Sequence, residues 1–323
     1  MNNWHEQKIA ELPKAKVELS VVTSLLNEED NLNSFYERVI KAVQQLNISY
    51  EIVFVDDGST DNSFNILKAL AEKDQNVKVI RFPRNFGQHM AMTAGFRYCR
   101  GKRVLWIDSD LQENPEDLPK LMAKMDEGFD LVFGVRKERK DSFFKKLSAK
   151  IFFKTFSYFS KLQIPENICT LRLLSERLVN HTKILTEHSR FLTGLQVLHG
   201  FRQAEVEVDY LEREKGRSKY NLFKMLKLSL DAMLSFSKFP LRIATFLGII
   251  SSGICFLVSI YIAVRYLFVG IGINRVVLLN LLLYLMGSML FVILGIIGEY
   301  LGRVYIELLN RPLYVIEEKI NLD

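Results

Sequence analysis

Residues 51–82 read EIVFVDDGSTDNSFNILKALAEKDQNVKVIRF, and this stretch decides the fold. It begins with a β-rich apolar run at Glu51–Val55, passes through a polar turn into helical spacing at Ser63–Lys73, and returns to a β-rich run at Val77–Phe82. A strand, a helix and a second strand within about thirty residues predict a βαβ unit, whose two strands lie parallel in one sheet. The expected fold class is therefore α/β.

The same alternation of strands and helices continues on both sides of this unit. Strands separated by helices predict a mostly parallel sheet, and open sheets of this kind bind ligands beyond the carboxyl ends of their strands. The side chains selected by that rule are Asn27, Asp56, Arg84 and Asp108. The further elements expected are strands at Leu19–Leu26, Arg103–Asp108 and Leu131–Val135, and helices at Asn31–Leu46, Gln88–Cys99 and Pro115–Glu127.

Two adjacent acids, Asp56 and Asp57, close the apolar run at Glu51–Val55. Carboxylates at a strand end can accept hydrogen bonds from a base edge or from ribose hydroxyls, which predicts a nucleoside site. The alternative is that the whole motif forms a turn and caps the next helix. That alternative explains Gly58–Asp61, but it does not explain two acids at the end of a buried strand.

A second acidic motif, Asp108-Ser109-Asp110, follows the next predicted strand in the same way. Two carboxylates one residue apart can hold a hard divalent cation, and Mg²⁺ in proteins typically uses one or two carboxylates together with substrate phosphate oxygens. The motif alone is weak, because many surface turns contain it. It gains weight because it is expected at the same sheet edge as Asp56 and Asp57.

The carboxyl-terminal half of the chain has the composition of a membrane-associated segment. Phenylalanines and lysines interleave in Phe143–Gln163 and Lys219–Phe239, which suits helices on an anionic bilayer, although such helices could instead dock on the protein core. Ile243–Phe268 and Val276–Gly298 are each long enough to cross ~30 Å of hydrocarbon. These lengths predict two transmembrane helices. The larger basic count on the outer flanks of the pair predicts that both termini are cytoplasmic and that residues 269–274 lie outside.

Composition narrows the class of protein only a little further. The chain has 323 residues, 49% of them hydrophobic, so two modules are expected. The net charge of +6 suits nucleic acid, anionic lipid or a phosphorylated substrate. Cys99, Cys169 and Cys255 lack metal-binding spacing and fit a reducing compartment. Residues 1–18 are polar and charged, unlike a signal peptide, so a cytosolic amino terminus is expected.

Several motifs together resemble the family 2 glycosyltransferases of GT-A fold. They are NEED at 27–30, VDDGSTD at 55–61, RNFGQHMAMTAG at 84–95, DSDLQENPE at 108–116 and REKGRSKY at 213–220. With two membrane helices and the closing segment EYLGRVYIELLNRPLY at 299–314, the chain is similar to the polyprenyl-phosphate glycosyltransferases of that family. The similarity covers nearly the whole chain and is greatest to the branch that transfers 4-deoxy-4-formamido-arabinose to undecaprenyl phosphate.

The resemblance implies an inverting transfer from a nucleoside diphosphate sugar, with a UDP sugar expected, to a polyprenyl phosphate, with undecaprenyl phosphate expected. It implies Mg²⁺ or Mn²⁺ as cofactor, held by Asp108 and Asp110, and it implies no nucleic-acid partner. A homo-oligomer is compatible with it. The nucleoside and donor residues would be Asn27, Glu28, Asp56, Asp57, Arg84 and His89, with Gln112 near the reacting sugar. Candidates for binding phosphate or diphosphate are Arg136, Arg139, Lys146, Arg213, Arg217 and Lys219, because guanidinium and ammonium groups suit that task, although a solvated charge is the alternative for each.

The segment 167–172 departs from the family pattern, because it lacks the acid that many members carry there. The acceptor phosphate has a second pKa near ~6 and needs no general base, and Arg172 is expected to orient its oxyanion. Competing hypotheses are a saccharide or ceramide acceptor, and a non-catalytic scaffold that binds nucleotide sugar. The absence of GxGxxG after the first strand disfavours a dehydrogenase. The expected domains are a GT-A core at 1–140, an acceptor-side segment at 141–242, two membrane helices at 243–298 and a cytoplasmic tail at 299–323.

Overall fold

The structure is a computed structural model that describes residues 9, 12, 15–136, 165, 167–185, 187, 192–198, 200–209, 239–268 and 275–322. The chain divides into two compact units, one comprising 1–222 with 312–323 and the other 223–311. Eight strands of the first unit form one sheet among the described residues. They are β1 Val17–Leu25, β2 Tyr50–Asp56, β3 Val77–Arg81, β4 Gly101–Trp106, β5 Leu131–Arg136, β6 Ile168–Ser175, β7 Gln203–Val208 and β8 Glu318–Ile320.

Helices connect these strands in the order that the sequence predicts. The βαβ unit at 51–82 is confirmed, and so are the strands and helices expected on either side of it, with ends that differ by a few residues. The helices of the first unit are α1 Leu32–Gln44, α2 Ser63–Lys73, α3 Gln88–Tyr98, α4 Leu118–Asp126, α5 Glu176–Ile184 and α6 Leu192–Leu198, and a 3₁₀ turn at Pro115–Asp117 precedes α4.

The strand order across the sheet is β7-β5-β6-β4-β1-β2-β3-β8, and the four central strands β4, β1, β2 and β3 are parallel. Their registers pair Leu25 with Asp56, Val22 with Trp106, and Asp56 with Arg81, so the carboxyl ends of these strands lie along one edge. Strand β1 is almost wholly buried from Leu19 onward, as expected for a parallel strand covered by helices on both faces.

The sheet extends beyond the expected core boundary at residue 140. Strand β6 lies antiparallel between β4 and β5, and β7 pairs parallel with β5. Residues 168–208 therefore contribute two strands to the main sheet rather than belonging wholly to a separate acceptor-side segment. The two basic aromatic stretches, Phe143–Gln163 and Lys219–Phe239, lie outside the described residues except for the last residue of the second.

The second unit contains two long helices, α7 Phe239–Phe268 and α8 Arg275–Leu308. Both expected apolar segments are therefore helical, and α8 continues ten residues beyond the predicted end at Gly298. In the part of the chain that the structure describes, one span, Leu282–Leu308, is long and apolar enough to cross a membrane, with a mean hydropathy of 2.0. The apolar stretch of α7, Ala244–Val258, is shorter.

The carboxyl-terminal segment 299–323 is not simply a tail. Its first ten residues belong to α8, and Glu318–Ile320 forms the edge strand β8, antiparallel to β3. Ile320 packs against the hydrophobic core of the first unit. The chain thus returns after α8 to complete the same sheet that its amino-terminal strands begin.

Candidate active site

Three loops follow the carboxyl ends of neighbouring strands and form the candidate site. Asn27 follows β1, Asp56 ends β2, and Asp108 follows β4. Because β4, β1 and β2 are adjacent and parallel, these loops lie side by side at one edge of the sheet. The side chains selected from the sequence because they follow strands, Asn27, Asp56 and Asp108, therefore lie at a common edge of the sheet.

The loop after β1 is fastened to the loop after β2 by hydrogen bonds. The Asn27 amide N–H donates to Ser59 Oγ at 2.9 Å, and Asn27 Oδ1 accepts from the Thr60 amide at 2.8 Å. The Glu28 amide donates to Ser63 Oγ at 3.0 Å, and its carboxylate accepts from Asn31 Nδ2 at 2.6 Å. Asn27 therefore shapes the joint between the two loops, with its backbone in the left-handed region at φ 56°.

Asp56 is fully buried and presents one carboxylate oxygen without a hydrogen-bond partner among the described residues. Its Oδ1 accepts from the Ser59 amide at 2.9 Å, whereas Oδ2 lies 3.9 Å from Arg81 Nε. Burial raises the pKa of Asp56, and the Ser59 hydrogen bonds and the Arg81 charge oppose that rise. A buried carboxylate oxygen without a hydrogen-bond partner is costly, so its position at the carboxyl edge of the sheet favours a role for Asp56 in the candidate site.

Asp57 holds the loop after β3. Its Oδ1 accepts from the Phe86 amide at 2.7 Å and its Oδ2 from the Gly87 amide at 2.9 Å, so both carboxylate oxygens are engaged with backbone. This geometry favours a role for Asp57 in shaping the site over the direct contact with the nucleoside that the sequence predicts. Arg84 is exposed in this loop, with its guanidinium carbon 4.9 Å from the centre of the Phe86 ring.

The loop after β4 carries the second acidic motif. Asp108 Oδ1 accepts from Gln88 Nε2 at 2.8 Å, and Asp110 Oδ1 accepts from the Gln112 amide at 3.2 Å. Burial raises the pKa of Asp108 to about 6, the charge of Asp110 adds to the rise, and a hydrogen bond from Thr170 opposes it. The two carboxylates are therefore close enough to repel one another.

This carboxylate pair fits a divalent cation. Mg²⁺ in proteins is typically held by one or two carboxylates, with substrate phosphate oxygens and water as the remaining ligands, and Asp108 and Asp110 supply two carboxylates one residue apart. A cation would also relieve the repulsion that Asp110 exerts on Asp108. Asp108 and Asp110 are the residues that would hold it.

Glu113 is a buried acid that the sequence analysis did not select. Its Oε1 accepts from the Leu171 amide at 2.7 Å and its Oε2 from the Asp108 amide at 3.3 Å. Burial raises the pKa of Glu113 to about 8, and the nearby charge of Asp108 adds to the rise. The carboxyl group joins the loop after β4 to β6, and only its position within DSDLQENPE hints at this role.

Arg172 is a buried cation rather than an exposed ligand for the acceptor. Its side chain donates to the carbonyl oxygens of Cys169 and Thr170 and to the side chains of Thr193 and Gln196. The guanidinium carbon lies 4.5 Å from the centre of the Trp106 ring and 5.2 Å from that of Phe133, the cross-strand partners of Arg172. Only 4% of Arg172 is exposed.

These contacts correct the expectation that Arg172 orients the reacting oxyanion directly. Burial lowers the pKa of Arg172 to about 10, while the charges of Glu113 and Asp108 partly offset that fall. Its positive charge lies near these two acids and favours their ionised forms, which opposes the rise that burial causes in their pKa values. Arg172 therefore stabilises the loop after β4 from the protein interior.

The structure also describes three further residues that are expected in the site: His89, Arg136 and Gln112. Burial and the charge of Arg172 lower the pKa of His89 to about 4, so its imidazole is neutral at pH 7. Arg136 ends β5, and its amide donates to the Asn167 carbonyl at 3.2 Å. Gln112 is half-buried beside Asp110. The remaining phosphate-binding candidates, Arg139, Lys146, Arg213, Arg217 and Lys219, lie outside the described residues.

A mostly parallel sheet with acidic loops at its carboxyl edge, including a carboxylate pair suited to a divalent cation, is the arrangement expected of a glycosyltransferase of GT-A fold. The family described as Glycosyl transferase family 2 matches residues 20–182, and the chain belongs to this family. The match ends within α5, so it includes every acidic residue described above.

Several relatives are similar to the chain over nearly its whole length, including the part after residue 182. An uncharacterized glycosyltransferase of Synechocystis sp. is 35% identical over 95% of this chain and 97% of its own. The undecaprenyl-phosphate 4-deoxy-4-formamido-L-arabinose transferase of Proteus mirabilis is 34% identical over 94% of each chain. A prophage-derived bactoprenol glucosyl transferase of Shigella flexneri is 35% identical over 94% of this chain and 98% of its own. Among solved structures, mannosyl-3-phosphoglycerate synthase from Rubrobacter xylanophilus matches with a TM-score of 0.47 and 15% identity over 72% of this chain and 80% of that one.

Proposed function

We propose that this glycosyltransferase moves a sugar from a UDP sugar to undecaprenyl phosphate at the cytoplasmic face of the membrane, with inversion at the anomeric carbon. The observation that carries the proposal is the carboxylate pair Asp108 and Asp110 in the loop after β4, on the same edge of the sheet as the buried carboxylate of Asp56. The names of full-length relatives that act on undecaprenyl phosphate or bactoprenol support the acceptor. The product would supply a lipid-linked sugar for a cell-envelope glycan or for lipid A modification.

The chemistry is a single displacement. An oxygen of the lipid phosphate forms a bond to the anomeric carbon, and the bond from that carbon to the diphosphate oxygen breaks, with its electron pair leaving on the nucleoside diphosphate. Asp56 binds the nucleoside, and Asp108 and Asp110 are the residues that would hold Mg²⁺ or Mn²⁺. When bound, the cation stabilises negative charge on the departing diphosphate.

The described residues of β6 are consistent with a phosphate nucleophile. Ile168–Arg172 contains no carboxylate, and the nearest buried acid, Glu113, accepts two backbone N–H groups. A phosphate monoester with a second pKa near ~6 is largely dianionic at pH 7, so it attacks without transferring a proton to the protein. A saccharide hydroxyl would need a base at this position.

The helices α7 and α8 support a two-helix membrane anchor. At 1.5 Å per residue they are about 45 and about 51 Å long, which exceeds the ~30 Å hydrocarbon core. Leu282–Leu308 satisfies the length and composition of a span, and α7 supplies a second, shorter apolar stretch. We propose that both helices cross the membrane and that the catalytic unit and both termini are cytoplasmic.

The test is a transfer assay with the purified full-length enzyme. A panel of UDP, GDP and dTDP sugars is incubated with undecaprenyl phosphate and Mn²⁺, and the lipid product is identified by mass spectrometry. We expect one donor to yield glycosyl undecaprenyl phosphate with an inverted anomeric configuration. Transfer to a saccharide acceptor, or nucleotide binding without any lipid product, would refute the proposal in favour of one of the competing hypotheses.

A further inference from the structure

The carboxyl-terminal segment 312–322 lies against the strand that supports the nucleoside side of the site. Its strand β8 pairs with β3, and the Glu317 amide donates to the Arg81 carbonyl at 2.8 Å. Asn321 fixes the far end, since its Nδ2 donates to the carbonyl oxygens of Ala71 and Val77 at 2.8 and 3.0 Å. The segment is thus anchored along the whole length of β3.

Arg81 links this segment to Asp56. Arg81 is the cross-strand partner of Asp56 in the β2–β3 register, and its Nε lies 3.9 Å from Asp56 Oδ2 and 3.3 Å from Glu317 Oε2. Its guanidinium carbon also lies 4.2 Å from the centre of the Phe64 ring. One cation is therefore shared between a buried acid of the site and an acid of the carboxyl-terminal segment.

A second contact reaches the loop held by Asp57. The ring of Tyr314 stacks on Phe82, with centroids 5.2 Å apart and planes 16° from parallel. Phe82 in turn makes an edge contact with Phe86, whose amide donates to Asp57. The carboxyl-terminal segment is therefore linked through Arg81 to Asp56, and through Phe82 and Phe86 to Asp57.

We infer that the carboxyl-terminal segment is a working part of the nucleotide site, and that Glu317 is a positioning residue that holds Arg81 and, through it, the buried carboxylate of Asp56 in the arrangement that binds the nucleoside. This inference rests on the proposed role of Asp56 in donor binding. If the Glu317 charge is removed, Arg81 either closes on Asp56 and occupies its oxygen, or moves to solvent and leaves the buried carboxylate without its cation. Both changes weaken the nucleoside contact.

The experiment compares Glu317→Gln with Glu318→Gln in the purified full-length enzyme, with UDP as the probe in calorimetric titrations. Glu318 is the matched control, because it carries the same charge at the next position of the segment and is also exposed. We expect Glu317→Gln to lower UDP affinity about three- to tenfold and to raise the donor KM by the same factor, with kcat and the acceptor KM nearly unchanged. Glu318→Gln should stay within about twofold of wild type.

A double-mutant cycle with Arg81→Gln separates positioning from a general loss of stability. If Glu317 acts through Arg81, then Glu317→Gln should add little to the loss already caused by Arg81→Gln. Unchanged UDP affinity in Glu317→Gln, or a loss that is fully additive with Arg81→Gln, overturns the inference and leaves the proposed function standing. A wild-type enzyme that binds none of UDP, GDP and dTDP refutes the proposed function, and the inference falls with it.

Discussion

Asp110 is the residue at which the metal assignment can be tested most directly. Asp110→Asn removes one negative charge at the loop after β4 without changing side-chain volume, and the Asn oxygen can still accept from the Gln112 amide. We expect turnover to fall about a hundredfold or more and Mn²⁺ affinity, measured by calorimetry, to fall with it, while the thermal midpoint changes little.

Asp126→Asn is a suitable control for this change, because Asp126 is a surface acid of α4 that pairs with Arg103. It should leave both turnover and Mn²⁺ binding unchanged. Near-normal activity of Asp110→Asn at limiting Mn²⁺ would show that the cation is held elsewhere.

Glu113 gives a prediction about stability and pH. Its pKa is raised to about 8 in the folded protein, above its usual 4.5, so between these values the folded state binds a proton that the unfolded state has released. The contribution of Glu113 to the free energy of unfolding therefore falls as pH rises from about 4.5 to about 8. In Glu113→Gln this part of the pH dependence should disappear, and the stability curve should be flatter across that window.

Denaturant unfolding of the full-length enzyme at several pH values, followed by the fluorescence of the buried Trp106, measures this slope. The matched control is Glu51→Gln, because Glu51 is also buried and accepts from Ser20 Oγ and the Arg100 amide. An equally steep curve for Glu113→Gln and wild type would mean that Glu113 is ionised in the folded protein.

At the scale of elements, the loops after β2 and β3 behave as one unit because Gly58 lets them touch. Gly58 has φ 77°, and a Cβ there would lie 2.4 Å from the Arg84 carbonyl carbon. Gly58→Ala should therefore pay about 1–2 kcal/mol for its backbone conformation and a further steric cost, and the displaced loops should raise the donor KM.

Gly128→Ala isolates the backbone cost. Gly128 also has a positive φ, at 90°, but a Cβ there would meet only the end of the Arg202 side chain, at 3.2 Å. Thermal unfolding and donor kinetics of the two variants distinguish the effects: both should be less stable, and only Gly58→Ala should bind donor more weakly. Equal donor KM values would contradict the close contact between the loops.

The elements that the sequence predicts are those whose signals are local. Strands β1 to β5 alternate with amphipathic helices, and their strand-end acids stand at fixed positions in short motifs, so both the parallel sheet and Asp56, Asp57, Asp108 and Asp110 could be found. Strands β6, β7 and β8 were not predicted, because they pair with distant strands and β8 is only the polar run Glu318–Ile320. The burial of Arg172 and Glu113 likewise depends on contacts between β4, β6 and α6 that no local pattern specifies.

At the scale of the whole molecule, the sheet constrains how the chain can cross a membrane. Residues 203–208 form β7 and residues 318–320 form β8, and both strands belong to the same sheet. The chain between them, residues 209–317, must therefore cross the membrane an even number of times or not at all. A crossing at Leu282–Leu308 therefore requires a second crossing between these two strands, and α7 is the other long helix that the structure describes there.

We predict two crossings, with only 269–274, which lies outside the described residues, reaching the far side. Single cysteines are introduced at Asn2, Gly272 and Asp323 in a chain whose Cys99, Cys169 and Cys255 have been replaced, and intact cells are treated with a membrane-impermeant maleimide. Only Gly272→Cys should be labelled before the cells are permeabilised, because Lys238 and Arg242 at the amino-terminal end of α7, and Arg303 and Arg311 at the carboxyl-terminal end of α8, favour the cytoplasm. Labelling at none of the three positions would mean that both helices lie on the membrane surface, and labelling at Asn2→Cys or Asp323→Cys would place the catalytic sheet outside.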